Sequence, residues 1–228
     1  MTLLLLVRHG ATDAAGKRLT GWSRGVRLNA RGRDDAAGLV ERLDGIPVDA
    51  IYTSPLERCR ETIAPLARRR GVPVVARRGL LEVDYGEWTG RTISSLRRTR
   101  LWRVVQRSPS TVRFPGGESL LEVQARAAAE LDAIAASHPN QSVVVVTHAD
   151  VIKLLVAHFV GMHADHLQRL AIDPCSVTVV SLREGVATLV KTNDTGGLES
   201  LRRRTRPRRS NRPRTRPSTR PSTRQVRG

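Results

Sequence analysis

Two histidines and two arginines of this 228-residue chain stand directly after short apolar runs. Leu3–Val7 runs into Arg8-His9-Gly10. Ala50–Thr53 leads into Ser54-Pro55-Leu56-Glu57 with Arg58 next, and Val143–Val146 runs into Thr147-His148-Ala149-Asp150. A neutral imidazole attacks phosphorus directly once its other ring nitrogen is held in one tautomer. A guanidinium fork binds phosphate oxygens bidentately, and a glycine beside the nucleophile lets backbone approach an anion. A nucleophile ringed by positive charge and N–H donors is what phosphoryl transfer requires, and the set calls for neither metal nor cofactor.

These side chains meet only if the fold brings the three runs to one edge. In an open α/β sheet ligands bind beyond the carboxyl ends of the strands, so three strands would deliver the four side chains to one crevice. The periodicity predicts strands at Leu3–Val7, Ala50–Thr53, Val72–Ala76, Val143–Thr147, Ser176–Leu182 and Val186–Lys191. Most are near-continuous apolar runs, as strands covered on both faces should be. Helices are predicted at Ala30–Leu43, Ser94–Gln106, Leu120–Ala136 and Asp150–Val160, with another starting at Ser54. Ser54 with Glu57, and Ser119 with Glu122, each have the spacing of a capping box. The expectation is a single α/β domain over residues 1–201, its sheet mostly parallel with helices on both faces.

The net charge of +18 suggests nucleic acid until it is located. Arg202–Gly228 holds 12 arginines and no acid, so the first 201 residues carry 27 basic against 21 acidic side chains. That tail, with its Arg-Pro-Ser-Thr repeat, has too little apolar surface to fold and reads as disordered, with nonspecific polyanion contact as its one partner reading. The body shows no aromatic stacking platform for nucleic acid. Cys59 and Cys175 have no metal-ligand spacing, and Leu3–Val7 is too short for a signal peptide or membrane span, which implies reduced thiols and a cytoplasmic location. His158, His163 and His166 lack a companion ligand pattern and read as surface or helix-end residues. Gly21-Trp22-Ser23-Arg24-Gly25 matches a serine-nucleophile pattern but lacks the strand before it and the helix after it.

Leu6-Val7-Arg8-His9-Gly10, Ser54-Pro55-Leu56-Glu57-Arg58, Leu81-Glu82-Val83-Asp84-Tyr85-Gly86-Glu87-Trp88-Thr89-Gly90, Phe114-Pro115-Gly116-Gly117-Glu118-Ser119 and Thr147-His148 occur in that order. Together they resemble the histidine phosphatase superfamily, also called phosphoglycerate mutase-like, over about residues 2 to 197. The stretches Leu101–Gln106 and Asn193–Gly197 are similar to a subgroup labelled as phosphomutases. The resemblance implies His9 as the phosphorylated nucleophile, Arg8, Arg58 and His148 as holders of the phosphate, and Glu82 as general acid and then base. It also implies a substrate-side loop containing Thr20 and Gly21, a small phosphorylated metabolite as substrate, and no cofactor. It leaves a homodimer open.

Two departures bear on the chemistry. The family often has Glu-Thr and then an asparagine after the nucleophile; here the chain reads Ala11-Thr12-Asp13-Ala14-Ala15, so an amide donor is missing or replaced. Asp150 stands where small residues are common, and acids suit a helix N-terminus, so it reads as a helix-start residue. A phosphoglycerate-type mutase and a catalytically impaired phosphate-binding protein are the alternatives. Only 23 residues, Arg91 to Arg113, lie between two of the motifs; that is short for a mutase lid and favours hydrolysis, although Arg97, Arg98 and Arg100 could supply a mutase's basic residues.

Overall fold

The leucine run near the N-terminus becomes β1 (Thr2–Arg8), an inner strand of a six-stranded sheet. The computed structural model describes residues 1–196; the tail read as disordered, 202–228, and the end of the predicted domain lie outside the described residues. The other strands are β2 (Ala50–Thr53), β3 (Val74–Ala76), β4 (Ser142–Thr147), β5 (Val177–Arg183) and β6 (Val186–Asp194), in the order β3-β2-β4-β1-β5-β6. The first four in that order are parallel, β5 pairs antiparallel with β1, and β6 pairs antiparallel with β5.

Successive side chains of a strand point to opposite faces, and both faces here are apolar. Leu4, Leu6, Val143 and Val145 join one core with α5 (Leu120–Ser137) and α6 (Ala149–Phe159). Leu5, Val7, Val144 and Val146 join the other with α1 (Ala30–Arg42) and α2 (Glu57–Arg70). Truncating any of these fully buried leucines to alanine would cost about 2–5 kcal/mol.

The strand and helix limits match the periodicity within a few residues, with three corrections. Val72–Ala76 yields only β3, and its Val74 and Val75 are exposed because β3 is an edge strand and not doubly covered. Ser94–Gln106 divides into α3 (Ile93–Leu96) and α4 (Arg100–Arg107), since Thr92 and Thr99 each accept a backbone N–H and start a helix of their own. Ser119 and Glu122 form their capping box, but Ser54 does not: α2 starts at Glu57 with no side-chain cap. The Ser54 hydroxyl is instead 2.9 Å from His148 Nε2, where it satisfies a buried imidazole.

Candidate active site

β2, β4 and β1 are adjacent, so their carboxyl ends place Ser54, His148 and His9 side by side. His9 is buried, its backbone N–H bonded to the Thr147 carbonyl at 2.9 Å and its Nδ1 lying 2.8 Å from the Gly10 carbonyl. A carbonyl only accepts, so Nδ1 carries the proton and Nε2 keeps its lone pair. Burial, with the Arg58 and Arg8 charges, lowers the His9 pKa to about 3, which keeps the ring neutral. The next turn is held by Thr62, whose hydroxyl accepts from Gly10 N at 2.9 Å and donates to the Arg58 carbonyl at 2.6 Å. A Cβ on Gly10 would meet the Gly32 carbonyl at 2.7 Å. The glycine therefore serves the close approach of α1 as well as any anion.

Arg58 is a guanidinium only 1% exposed. Its Nη2 donates to the Gly21 carbonyl at 2.9 Å and lies 3.3 Å from His148 Nδ1, while its Nε and Nη1 have no partner. Arg8 donates through Nη1 to the Ile172 carbonyl at 2.6 Å and leaves Nε unpartnered. Buried donors without acceptors are costly, and unpartnered N–H groups on two arginines whose charges both act on His9 suit an anion site. An arginine only donates, so His148 Nδ1 accepts and its Nε2–H is given to Ser54 Oγ. Burial and the Arg58 charge hold His148 well below the usual histidine range. The two imidazoles meet edge to face, ring centres 5.2 Å apart.

Glu82 enters from the loop after β3. Its Oε1 accepts from Val83 N at 3.1 Å and its Oε2 is 3.7 Å from His148 Nδ1. Burial, then the Asp150 charge, push its pKa up to about 7, so it passes between its protonated and ionised forms near neutrality. The Glu82 carbonyl is pinned from two sides, by Trp22 Nε1 at 2.6 Å and Arg126 Nη2 at 2.8 Å. Arg126 also donates to the Gly79 and Leu81 carbonyls, both at 2.9 Å, and pairs with Glu118 at 2.7 Å.

His9, Arg8, Arg58, His148 and Glu82, all singled out in the sequence, thus come together. Gly21 joins them through its carbonyl, an acceptor that orients Arg58. Thr20 precedes Gly21 in a turn, its carbonyl accepting from Ser23 N at 2.8 Å. Asp150 begins α6 as read, but it also accepts from the Tyr85 hydroxyl at 2.8 Å. Sequence reasoning missed Thr62, Arg126 and Trp22 as supports. Thr62 follows Arg58 by one helical turn, which is the signal that could have found it. His163 lies near Asp165 at 3.5 Å, and among the described residues no group of three or more His, Cys, Asp and Glu side chains could hold a metal ion. No helix among them is long and apolar enough to cross a membrane.

An α/β sheet with two histidines, two arginines and a buried carboxyl gathered at one edge has the groups that phosphoryl transfer uses. The chain belongs to the histidine phosphatase superfamily (branch 1), whose family model matches residues 4–195. It is 29% identical over 203 residues to phosphoserine phosphatase 1 of Hydrogenobacter thermophilus, covering 86% of this chain and 93% of that one. It is 32% identical over 188 residues to a Klebsiella pneumoniae protein named as a probable phosphoglycerate mutase, covering 81% of this chain and 86% of that one. The solved structure of Bacillus stearothermophilus YhfR superposes with a TM-score of 0.81 at 31% identity, covering 85% of this chain and 98% of that one. Mycobacterial relatives are longer, and the chain matches 55% of their length. The family and its relatives make the chain an enzyme of the phosphatase or mutase type.

Proposed function

We propose that the enzyme hydrolyses phosphomonoesters through a phosphohistidine on His9. One observation carries the reading: His9 Nε2 keeps its lone pair because Nδ1 is tied to the Gly10 carbonyl, in a ring on which the charges of Arg58 and Arg8 act while both arginines keep unpartnered N–H groups. In the first step the P–O ester bond breaks as an N–P bond forms, and Glu82 gives its proton to the departing alkoxide. In the second, Glu82 takes a proton from water, whose oxygen displaces His9 from phosphorus and releases inorganic phosphate. Such acid–base help is worth about 10²–10⁴ in rate. The arginines hold the oxygens throughout.

Hydrolysis is favoured over phosphoglycerate isomerisation by Asp150. It puts a carboxylate beside the site, where a phosphoglycerate substrate would bring a second one, and like charges so close repel. The test is to incubate wild type and His9→Ala with a generic phosphomonoester, quench without acid and weigh the intact protein. Wild type should gain one phosphoryl group, and the variant should lose both that mass and turnover. More than a few per cent of residual activity in His9→Ala would sink the nucleophile, and 3-to-2-phosphoglycerate conversion outpacing phosphate release would sink hydrolysis.

A further inference from the structure

Asp150, whose charge acts on Glu82, also lines a cavity of about 260 Å³. Its aromatic wall consists of Trp88 and Trp102, stacked with ring centres 6.3 Å apart, and Phe114, 5.4 Å from Trp88. Trp102 and Val105 reach it from α4, so the segment read as too short for a lid forms one side of this cavity. Its polar lining includes Asp150 and Tyr85, with Gln106 and Gln168. Tyr85 occupies Asp150 Oδ2, while the nearest cation to Oδ1, Lys153 Nζ, stands 3.9 Å off, beyond hydrogen-bond reach. Oδ1 thus keeps acceptor capacity. Asp150 also belongs to the phosphate side, because it starts the helix that follows His148 and its charge acts on Glu82 and Arg8.

We infer that this cavity seats the alcohol part of the substrate, and that the enzyme takes phosphate monoesters of ring-bearing alcohols with a hydrogen-bond donor for Asp150, in preference to carboxylate-bearing phosphates. The inference rests on His9 being the phosphorylated nucleophile. An apolar cavity of roughly 150 Å³ holds a benzene ring, so this one has room for a ring and its linker. Aromatic walls favour a flat apolar guest in edge or offset contact. A donor on that guest would meet Asp150, whereas a carboxylate there would be repelled. Arg97 also lines the cavity, but it is exposed and its charge is screened.

Three esters of primary alcohols test this with nearly equal leaving groups: 3-phosphoglycerate, 2-phenylethyl phosphate, and the phosphate of 2-amino-3-phenylpropan-1-ol. Because the chemical step is common, ratios of kcat/KM report what the alcohol part contributes. Both ring esters should exceed 3-phosphoglycerate by at least about ten-fold, and the amino ester should exceed 2-phenylethyl phosphate about five-fold. Asp150→Asn should bring the two ring esters within about two-fold of each other, and Val105→Trp, which fills the cavity, should lower the ring preference about ten-fold. Equal or better use of 3-phosphoglycerate by the wild type would overturn the inference, as would an Asp150→Asn enzyme with unchanged ratios. A phosphohistidine signal without ring preference sinks this inference alone; no phosphohistidine with any of the three esters sinks the hydrolase reading as well.

Discussion

Replacing Glu82 by Gln should stabilise the folded protein at pH 8 and barely change it at pH 5. Glu82 is 9% exposed, and burial with the neighbouring Asp150 charge raises its pKa from 4.5 to about 7. In the folded state the carboxyl therefore keeps its proton over a range where the unfolded chain has released it. The stability this gives is complete below about 4.5 and is lost as pH rises through 7. At pH 8 the native enzyme carries a charge that costs about 3 kcal/mol relative to a neutral side chain, against less than about 1 kcal/mol at pH 5. Gln has nearly the same shape and can still accept from Val83 N. For a domain of this size each kcal/mol moves Tm by roughly 2–4 °C, so the variant should melt roughly 6–12 °C higher at pH 8. Circular-dichroism melts in phosphate-free buffers at the two pH values measure it, since bound phosphate would itself stabilise the fold. An equal shift at both pH values, or a lower Tm at pH 8, would refute the argument that Glu82 is held protonated by burial. Activity should fall by about 10²-fold or more in the same variant.

Arg126→Met should destabilise the fold by about 3 kcal/mol, because it leaves the Gly79, Leu81 and Glu82 carbonyls and the Glu118 carboxylate without their shared partner; the urea midpoint reads it, and an unchanged midpoint would contradict it. Ser54→Ala should cost about 1–3 kcal/mol by stranding His148 Nε2–H, and should lower kcat/KM as that ring loses its orientation. A variant ending at Leu201 should keep its activity on a small phosphomonoester but lose salt-sensitive retention on heparin, since 12 arginines go with the tail. Retention unchanged by the deletion would move the polyanion contact to the body.

The sheet was legible because its inner strands are apolar on both sides: Leu3–Val7 and Val143–Val146 have no other place than between two helical layers. Arg8, His9, Arg58 and His148 were legible because they stand at or just after the points where those runs stop, whereas Glu82 was legible only through the motif resemblance. What escaped was whatever depends on which distant group needs a partner. Ser54 has the spacing of a helix cap, but tertiary contact offers its hydroxyl a buried histidine, and the cap is forgone. Asp150 fits a helix start by its type, yet its bond to Tyr85 and its effect on Glu82 come from residues 65 positions or more away in the chain. Arg126 sits in an alanine-rich helix and looks like a solvated charge until the 79–82 backbone is laid across it. The exposure of β3 follows from its place at the sheet edge, which periodicity does not reveal.

The position of β1 has a consequence for synthesis. Both its neighbours are made late: Leu5 pairs with Val144 on one side and Val179 on the other. At about 5–20 residues per second, translating from Arg8 to Leu182 takes roughly 10–35 s. Until residues 142–147 emerge the leucine-rich strand that ends at Arg8 is without either sheet partner, and until residue 182 it lacks the second, while β2, α2 and β3, close together in the chain, can already associate. β1 is thus seated after the β2–β3 pair that follows it in the chain, and the nascent chain carries an unpaired, aggregation-exposed apolar segment until its partners at 142–147 and 177–182 emerge.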